Sequence, residues 1–317
     1  MSFSNLDLVN ECDSFPYYQT NPSLYAASLS TYYSLRVHGH DYPLGYLLPS
    51  VAQVFHNVPH WDLDSTQRTL TLIAGHNADE RSEAVRQTLL ALRKTGHFKV
   101  LEKWRDELYA VYGRNKELLF RVERSASPLL GVVTYGVHMT AYVRVPEEEG
   151  GMKIWIPRRA KTKQTYGGML DNAVAGGMAS GETPLECLVR ECAEEASLPE
   201  DVVRARVKAA GTVTYFYIRT EKAGGETGLM QPECQYVYDI ELPVDVVPRP
   251  GDDEVEEFYL WSVEEVKAAL ARGEFKPNCA LVMLDFFVRH GVLTAENEED
   301  YIEIVARCHR KLEFPTL

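Results

Sequence analysis

Glu191, Glu194 and Glu195 stand at i, i+3 and i+4, so on a helix their carboxylates gather along one stripe. Three like charges that close repel one another, a cost that a bound cation removes. Oxygen-only ligands of this charge suit Mg²⁺, with Mn²⁺ as the other candidate, rather than zinc. The segment carries its own helix signals. Thr183 is placed to cap, Pro184 to take the first helical position where no amide donor is needed, and Glu186 to complete a capping box. A helix is therefore predicted from Pro184. Leu185, Leu188, Val189, Cys192 and Ala196 recur at helical spacing and give it an apolar stripe to bury. Taken alone, such a glutamate cluster is most often a solvated face.

The residues before the helix argue for more. Gly167, Gly168, Asp171 and Ala175–Gly177 bring the backbone close to whatever the carboxylates hold, because glycine leaves room for close approach. Ahead of them lie Arg158, Arg159, Lys161, Lys163 and Gln164, a cationic run in an otherwise acidic chain. Arginine grips phosphate oxygens bidentately and lysine adds a point charge, so this run reads as a diphosphate-binding segment. Its alternative is a solvated loop.

Gly176, Glu182, Arg190, Glu191, Glu194, Glu195 and Leu198 stand in one register. The pattern is Gly, five residues, Glu, seven residues, Arg-Glu, an aliphatic, any, Glu-Glu, any, Gly, aliphatic, and it resembles the Nudix box. Six fixed identities at about 7% each coincide by chance on the order of once in ten million registers. Two positions depart: Cys192 fills the first aliphatic site and Ser197 replaces the glycine that normally ends the helix. A longer stretch, Trp155–Gly177, with Tyr135-Gly-Val-His-Met, resembles fungal and plant Nudix hydrolases labelled thiamin pyrophosphokinase-related. That resemblance implies an α+β chain: a Nudix α/β/α sandwich with a mixed sheet, a smaller N-terminal α+β domain and a C-terminal helical pair. It implies Mg²⁺ held by Glu191, Glu194 and Glu195 with the Ala175 or Gly176 carbonyl, Arg190 orienting the carboxylates, and Glu182 paired with Arg190. It also implies a further acid outside the box, for which Glu254 and Glu256 are the candidates. The implied substrate is a thiamin diphosphate-type ester, damaged oxythiamin and oxothiamin forms above all, cut to the monophosphate. A ligand sensor, an isoprenoid diphosphate isomerase and a hydrolase of another nucleoside or dinucleotide diphosphate stay open as alternatives. No Gly-Lys-Ser/Thr phosphate loop suggests a kinase.

At 317 residues the chain has room for more than one compact unit, and we divide it at 1–125, 126–275 and 276–317. A net charge of −13 argues against nucleic acid and anionic membrane as partners, and the partner that the resemblance implies is a small-molecule diphosphate. The six cysteines lack metal-ligand spacing and read as reduced and packed. With no apolar run of spanning length and no signal or transit pattern, the cytoplasm is the expected compartment. Within the first unit, residues 79–94 carry a helical pattern ending near Gly96, and 118–122 reads as a strand. Trp104 and Tyr109 read as core more readily than as a ring-stacking surface. In the second, strands are expected at 135–145, 153–157, 202–210, 212–219, 235–242 and 258–261, with an acidic turn over 147–151. Ser262 and Glu265 mark a capping box for a helix over 263–271, and 277–290 and 297–312 look helical. His138, alone in its strand, reads as structural.

Overall fold

The computed structural model describes residues 2–146, 151–163 and 165–317. Gln164 and most of the expected acidic turn therefore lie outside the described residues. The first unit contains α1 (Asn5–Cys12), α2 (Pro22–Leu29), β1 (Tyr33–Val37), β2 (Gly45–Leu47), α3 (Pro49–Val54), β3 (Trp61–Asp64), β4 (Thr69–Leu72), α4 (Ala78–Thr95), β5 (Leu108–Tyr112) and β6 (Leu118–Glu123). Its sheet runs β2-β1-β4-β3, with β1 and β4 parallel and the outer pairs antiparallel. Asn77 caps α4, and Gly96 ends it in the left-handed conformation that only glycine adopts cheaply. Helix α4 buries Val85, Leu89 and Leu92 in one core with Leu35, Leu70 and Leu72 of the sheet and Phe120 and Val122 of the β5–β6 hairpin. Strands β1 and β3 alternate apolar and polar residues but span only five and four residues, too short a run for the period to single them out in the sequence.

The second unit is assembled from α5 (Ser127–Leu130), β7 (Thr134–Arg144), β8 (Met152–Arg159), β9 (Val174–Gly177), α6 (Pro184–Ala196), α7 (Glu200–Arg206), β10 (Lys208–Ile218), β11 (Met230–Glu241), β12 (Val255–Ser262), α8 (Val263–Ala271), α9 (Pro277–Arg289) and α10 (Tyr301–Cys308). Its sheet runs β10-β11-β7-β8-β12, with β9 on β7. Only β7 and β11 are parallel, so the sheet is mixed. Alternation sends Val137, Met139 and Ala141 to one face, where α6 and α7 bury Leu188, Cys192, Ala196 and Val203. The other face packs Ile154, Ile156, Val213 and Val237 against α8, α9, α10 and α1. This is the mixed-sheet sandwich expected, with an N-terminal domain and C-terminal helices.

Three readings of the elements are corrected. Residues 200–206 are helical, not strand: Glu200 and Asp201 in the first turn and Arg204 and Arg206 in the last suit the helix dipole. Residues on both sides of Gly211 belong to one strand, β10, bulged at that glycine (φ +116°) and paired with β11 rather than with itself. The last helix spans only Tyr301–Cys308, because Arg310 turns back to bond Asp13 and the Phe15 and Pro16 carbonyls. Helix α9 is a full layer of the sandwich, with nine of its thirteen residues buried.

Candidate active site

Helix α6 starts at Pro184, but its capping box is half formed. Thr183 Oγ1 accepts the Glu186 N–H at 3.4 Å, while the Glu186 carboxylate bonds Arg204 of α7 at 2.7 and 2.9 Å instead of turning back. At the other end Ser197 takes the left-handed conformation (φ 51°), and the N–H groups of Ser197 and Leu198 both bond the Cys192 carbonyl. Serine thus performs the glycine's closing turn, at a conformational cost of about 1 kcal/mol.

Along the helix, Arg190 gathers the acids. It forks onto Glu182 at 2.9 and 3.1 Å and reaches Glu191 at 2.8 Å and Glu194 at 3.1 Å. Glu191 and Glu195 are buried, while Glu194 is half exposed. Glu195 Oε2 accepts the Ala175 N–H at 2.9 Å, tying the helix to β9. A Cβ on Gly176 would run into the Glu191 carboxyl, so only glycine lets helix and strand approach this closely. Burial raises the Glu191 pKa, and burial with the Glu191 and Asp171 carboxylates raises that of Glu195. Buried acids that repel one another beside a strand carbonyl form a donor set suited to a divalent cation.

Of the cationic run of 158–163, Lys163 lines a small gap with Glu195, while Arg158 and Arg159 are engaged by other partners. Arg159 is buried against Asp171 at 2.5 Å, and Arg158 bonds the Tyr259 hydroxyl and the Gly168 carbonyl. Lys163 pairs with Glu254, and Lys161 is exposed. β8 runs to Arg159, so its last side chains are fixed by the strand's neighbours. Glu254 sits with Glu195, Lys163 and Asp171 around a small gap, whereas Glu256 is exposed at a bulge of β12.

Next to the glutamates opens a cleft of about 520 Å³. Ala175, Gly176 and Gly177 form one edge. Its floor is one end of the mixed sheet: Thr134, Gly136 and His138 of β7, Gln231, Glu233 and Gln235 of β11, Tyr215 and Tyr217 of β10. Within each strand these stand two apart, hence on one face. The opposite wall is the first unit, which contributes Lys99, Lys103, Arg105, Tyr109 and Arg124. A Cβ on Gly177 would collide with the Tyr109 hydroxyl and crowd the Arg124 guanidinium, so the β5–β6 hairpin presses directly on the glycine strand. Arg124 lies over the Tyr109 ring and bonds Glu107 at 2.7 Å. Burial, then the nearby Arg124 charge, lowers the Arg105 pKa. Arg105 lies 3.9 Å from Glu254, while Arg124, beside Gly177 on the glycine strand that lines α6, suits an anion bridged to a cation.

Residues 136–279 match the NUDIX domain family, and residues 11–134 match the family described as a domain of unknown function, DUF4743. The chain is 41% identical over 261 residues to the uncharacterized protein YJR142W of Saccharomyces cerevisiae, covering 81% of this chain and 75% of that protein. Residues 136–279 form a Nudix domain. Nudix hydrolase 20, chloroplastic, of Arabidopsis thaliana is 36% identical over 74% of this chain, which spans 59% of that relative's length. Among solved structures, DR0079 from Deinococcus radiodurans aligns at 22% identity and TM-score 0.39, covering 64% of this chain and all of that one. The Nudix domain, with Nudix hydrolases among the relatives, supports a hydrolase acting on pyrophosphate bonds.

The Nudix cleft holds groups that reading the sequence passed over. Gln231, Glu233 and Gln235 alternate with Met230, Pro232 and Cys234 in the first half of β11, a signal for a polar sheet face that was available. Arg105, Arg124 and Lys276 carried no such signal, since only the packing of the first unit and of α9 brings them to the cleft. His138, Asp171 and Cys279 place ligand atoms within 4.8 Å of one another. The Asp171 oxygens are already engaged by Arg159 and the Cys279 thiol, so the trio serves as hydrogen-bonded core. Among the described residues no helix is long and apolar enough to cross a membrane.

Proposed function

We propose that the protein hydrolyses diphosphate esters of the thiamin diphosphate type, with damaged oxythiamin and oxothiamin diphosphates as preferred substrates, to the monophosphate and phosphate. The observation that carries the reading is the opposition, across Gly176 and Gly177, of buried acids on α6 and Arg124 of the first unit. Glu191, Glu194 and Glu195, with the Gly176 or Ala175 carbonyl, would hold Mg²⁺, with Mn²⁺ as a substitute. The ion would neutralise the diphosphate and acidify the attacking water. Arg190 keeps the carboxylates oriented, and Glu182 fixes Arg190. Glu254, sharing a gap with Glu195, is favoured over Glu256 as the assisting acid. Arg105, Arg124 and Lys276 take the phosphate-gripping role first expected of Arg158, Arg159, Lys161 and Lys163, while Tyr215 and Tyr217 offer faces for a planar ring. We assign the protein to the cytosol on its six buried, unbridged cysteines.

The test is a comparison at equal free Mg²⁺ of thiamin, oxythiamin and oxothiamin diphosphates with a nucleoside diphosphate sugar and a dinucleotide, scoring phosphate and monophosphate. The oxidised thiamin esters are expected to give the highest kcat/KM. Preferred cleavage of the dinucleotide, or release of a nucleoside monophosphate, would sink the substrate assignment.

A further inference from the structure

The floor of the cleft carries a carboxylate that a site for anions does not need. Glu233 Oε2 accepts the Tyr215 hydroxyl at 2.6 Å and Gln235 Nε2 at 2.7 Å, and Oε1 accepts Gln231 Nε2 at 3.2 Å. These partners are themselves anchored. The Tyr215 oxygen accepts from Asn278 Nδ2 at 3.0 Å, and Gln231 Oε1 accepts from Arg219 Nη1 at 3.1 Å. An ionised carboxylate offers about four acceptor sites, of which three are filled from within the protein. Gln235 directs its amide nitrogen to Glu233 and to Tyr215, so its remaining offer to a ligand is a carbonyl oxygen. This end of the cleft therefore presents acceptors to a ligand, whereas the end beside Gly177 presents the Arg124 guanidinium.

The register sets the distance between the two ends. Gly177 pairs with Gly136, which pairs with Gln235, and Glu233 lies one two-residue step further along β11. Two strand spacings across and one step along come to about 12 Å. That is too far for Glu233 to serve a diphosphate held at Gly177, and its charge there would repel one. It is within reach of an organic group esterified to that diphosphate.

We propose that Glu233 is a specificity determinant that accepts a hydrogen bond from an N–H on the edge of a nitrogen ring, an amino N–H in thiamin and oxothiamin diphosphates and a lactam N–H in oxythiamin diphosphate, with Gln235 and Tyr215 fixing its orientation. The substrate class is then a diphosphate ester of a nitrogen heterocycle with donors on its far edge, and an isoprenoid diphosphate is discriminated against. This inference rests on the diphosphatase reading above, but it is measured separately.

The probes are thiamin diphosphate, whose aminopyrimidine supplies N–H donors, and geranyl diphosphate, which has none. Glu233→Gln is expected to lower the ratio of kcat/KM for thiamin diphosphate over geranyl diphosphate roughly 10- to 100-fold, chiefly through KM, with part of the ratio restored in Glu233→Asp. Equal losses on both probes, or no loss on either, overturn the assignment. Metal-free calorimetric titration of thiamin diphosphate reports Glu233 without any turnover. Binding at least tenfold weaker in Glu233→Gln supports the proposal even if neither probe is cleaved, an outcome that would count against the diphosphatase reading alone. Equal affinity in the two proteins, or no binding by the wild type, overturns it.

Discussion

Glu194 and Glu195 differ in surroundings though they adjoin in sequence: one is half exposed on Arg190, the other buried on the Ala175 N–H. If both hold the cation, Glu194→Gln and Glu195→Gln each lower turnover at least about a hundredfold, because charge neutralisation supplies several kcal/mol of the barrier. Phosphate-release kinetics paired with a thermal melt check this, and near-normal Mg²⁺-dependent turnover in both variants refutes the ligand set. Ser197 is the residue-scale departure from the box that structure explains. Since its φ of 51° strains any side chain, Ser197→Gly should stabilise the fold by about 1 kcal/mol and raise Tm by ~2 °C. An unchanged or lower Tm would mean that the Ser197 side chain compensates the strain.

At the scale of elements, the β5–β6 hairpin sets the site's charge balance, because it lays Tyr109 and Arg124 on β9. Arg124→Ala is expected to raise KM about tenfold or more while kcat moves less, since a guanidinium that grips phosphate in ground and transition state alike contributes uniform binding. Arg158→Ala is the control. Its side chain bonds Tyr259 and Gly168, so its effect should appear in the melt rather than in KM. Initial-rate kinetics on both variants decide between the two arginines, and a larger KM effect from Arg158→Ala would restore the 158–163 run as the phosphate grip. Helix α7 and strand β10 show the same dependence on context. The β-branched residues of 202–210 favour strand locally, yet Arg204 finds Glu186 and Glu200 only when 200–206 is helical.

The whole molecule is closed by Asp13. Its fully buried carboxylate accepts the Phe216 N–H, the Tyr17 hydroxyl and the guanidiniums of Arg307 and Arg310, joining the start of the chain to its end across the sheet. Asp13→Ala leaves Arg310 buried without that counter-charge, and a loss of about 3–5 kcal/mol in urea unfolding is expected. A loss below 1 kcal/mol would show the cluster to be dispensable. His138 gives the fold a pH limit. Burial first, with the Lys276 charge adding to it, lowers its pKa to about 4, against 6.5 in an unfolded chain. Above pH 6.5 both states are neutral. As pH falls from 6.5 toward 4 the unfolded chain takes up a proton that the folded one refuses, and stability drops. Between pH 7 and pH 5 the wild type should lose about 2 kcal/mol more than His138→Gln, measured by urea unfolding at both values. Parallel pH profiles for the two proteins would show that His138 titrates normally. What the sequence alone determined is the local chemistry. A helix starting at Pro184, with acids at i, i+3 and i+4 and an arginine beside them, is set by spacing within thirteen residues, as are the cap at Ser262 and the end of α4 at Gly96. Only the tertiary structure decided which cations face those acids. Arg124 arrives from a different unit and Lys163 comes to Glu195, while Arg158 and Arg159, in the same run as Lys163, are taken by Tyr259 and Asp171. Charge acts through space, and the separation in space between two side chains of distant segments is fixed by packing, not by their order in the chain.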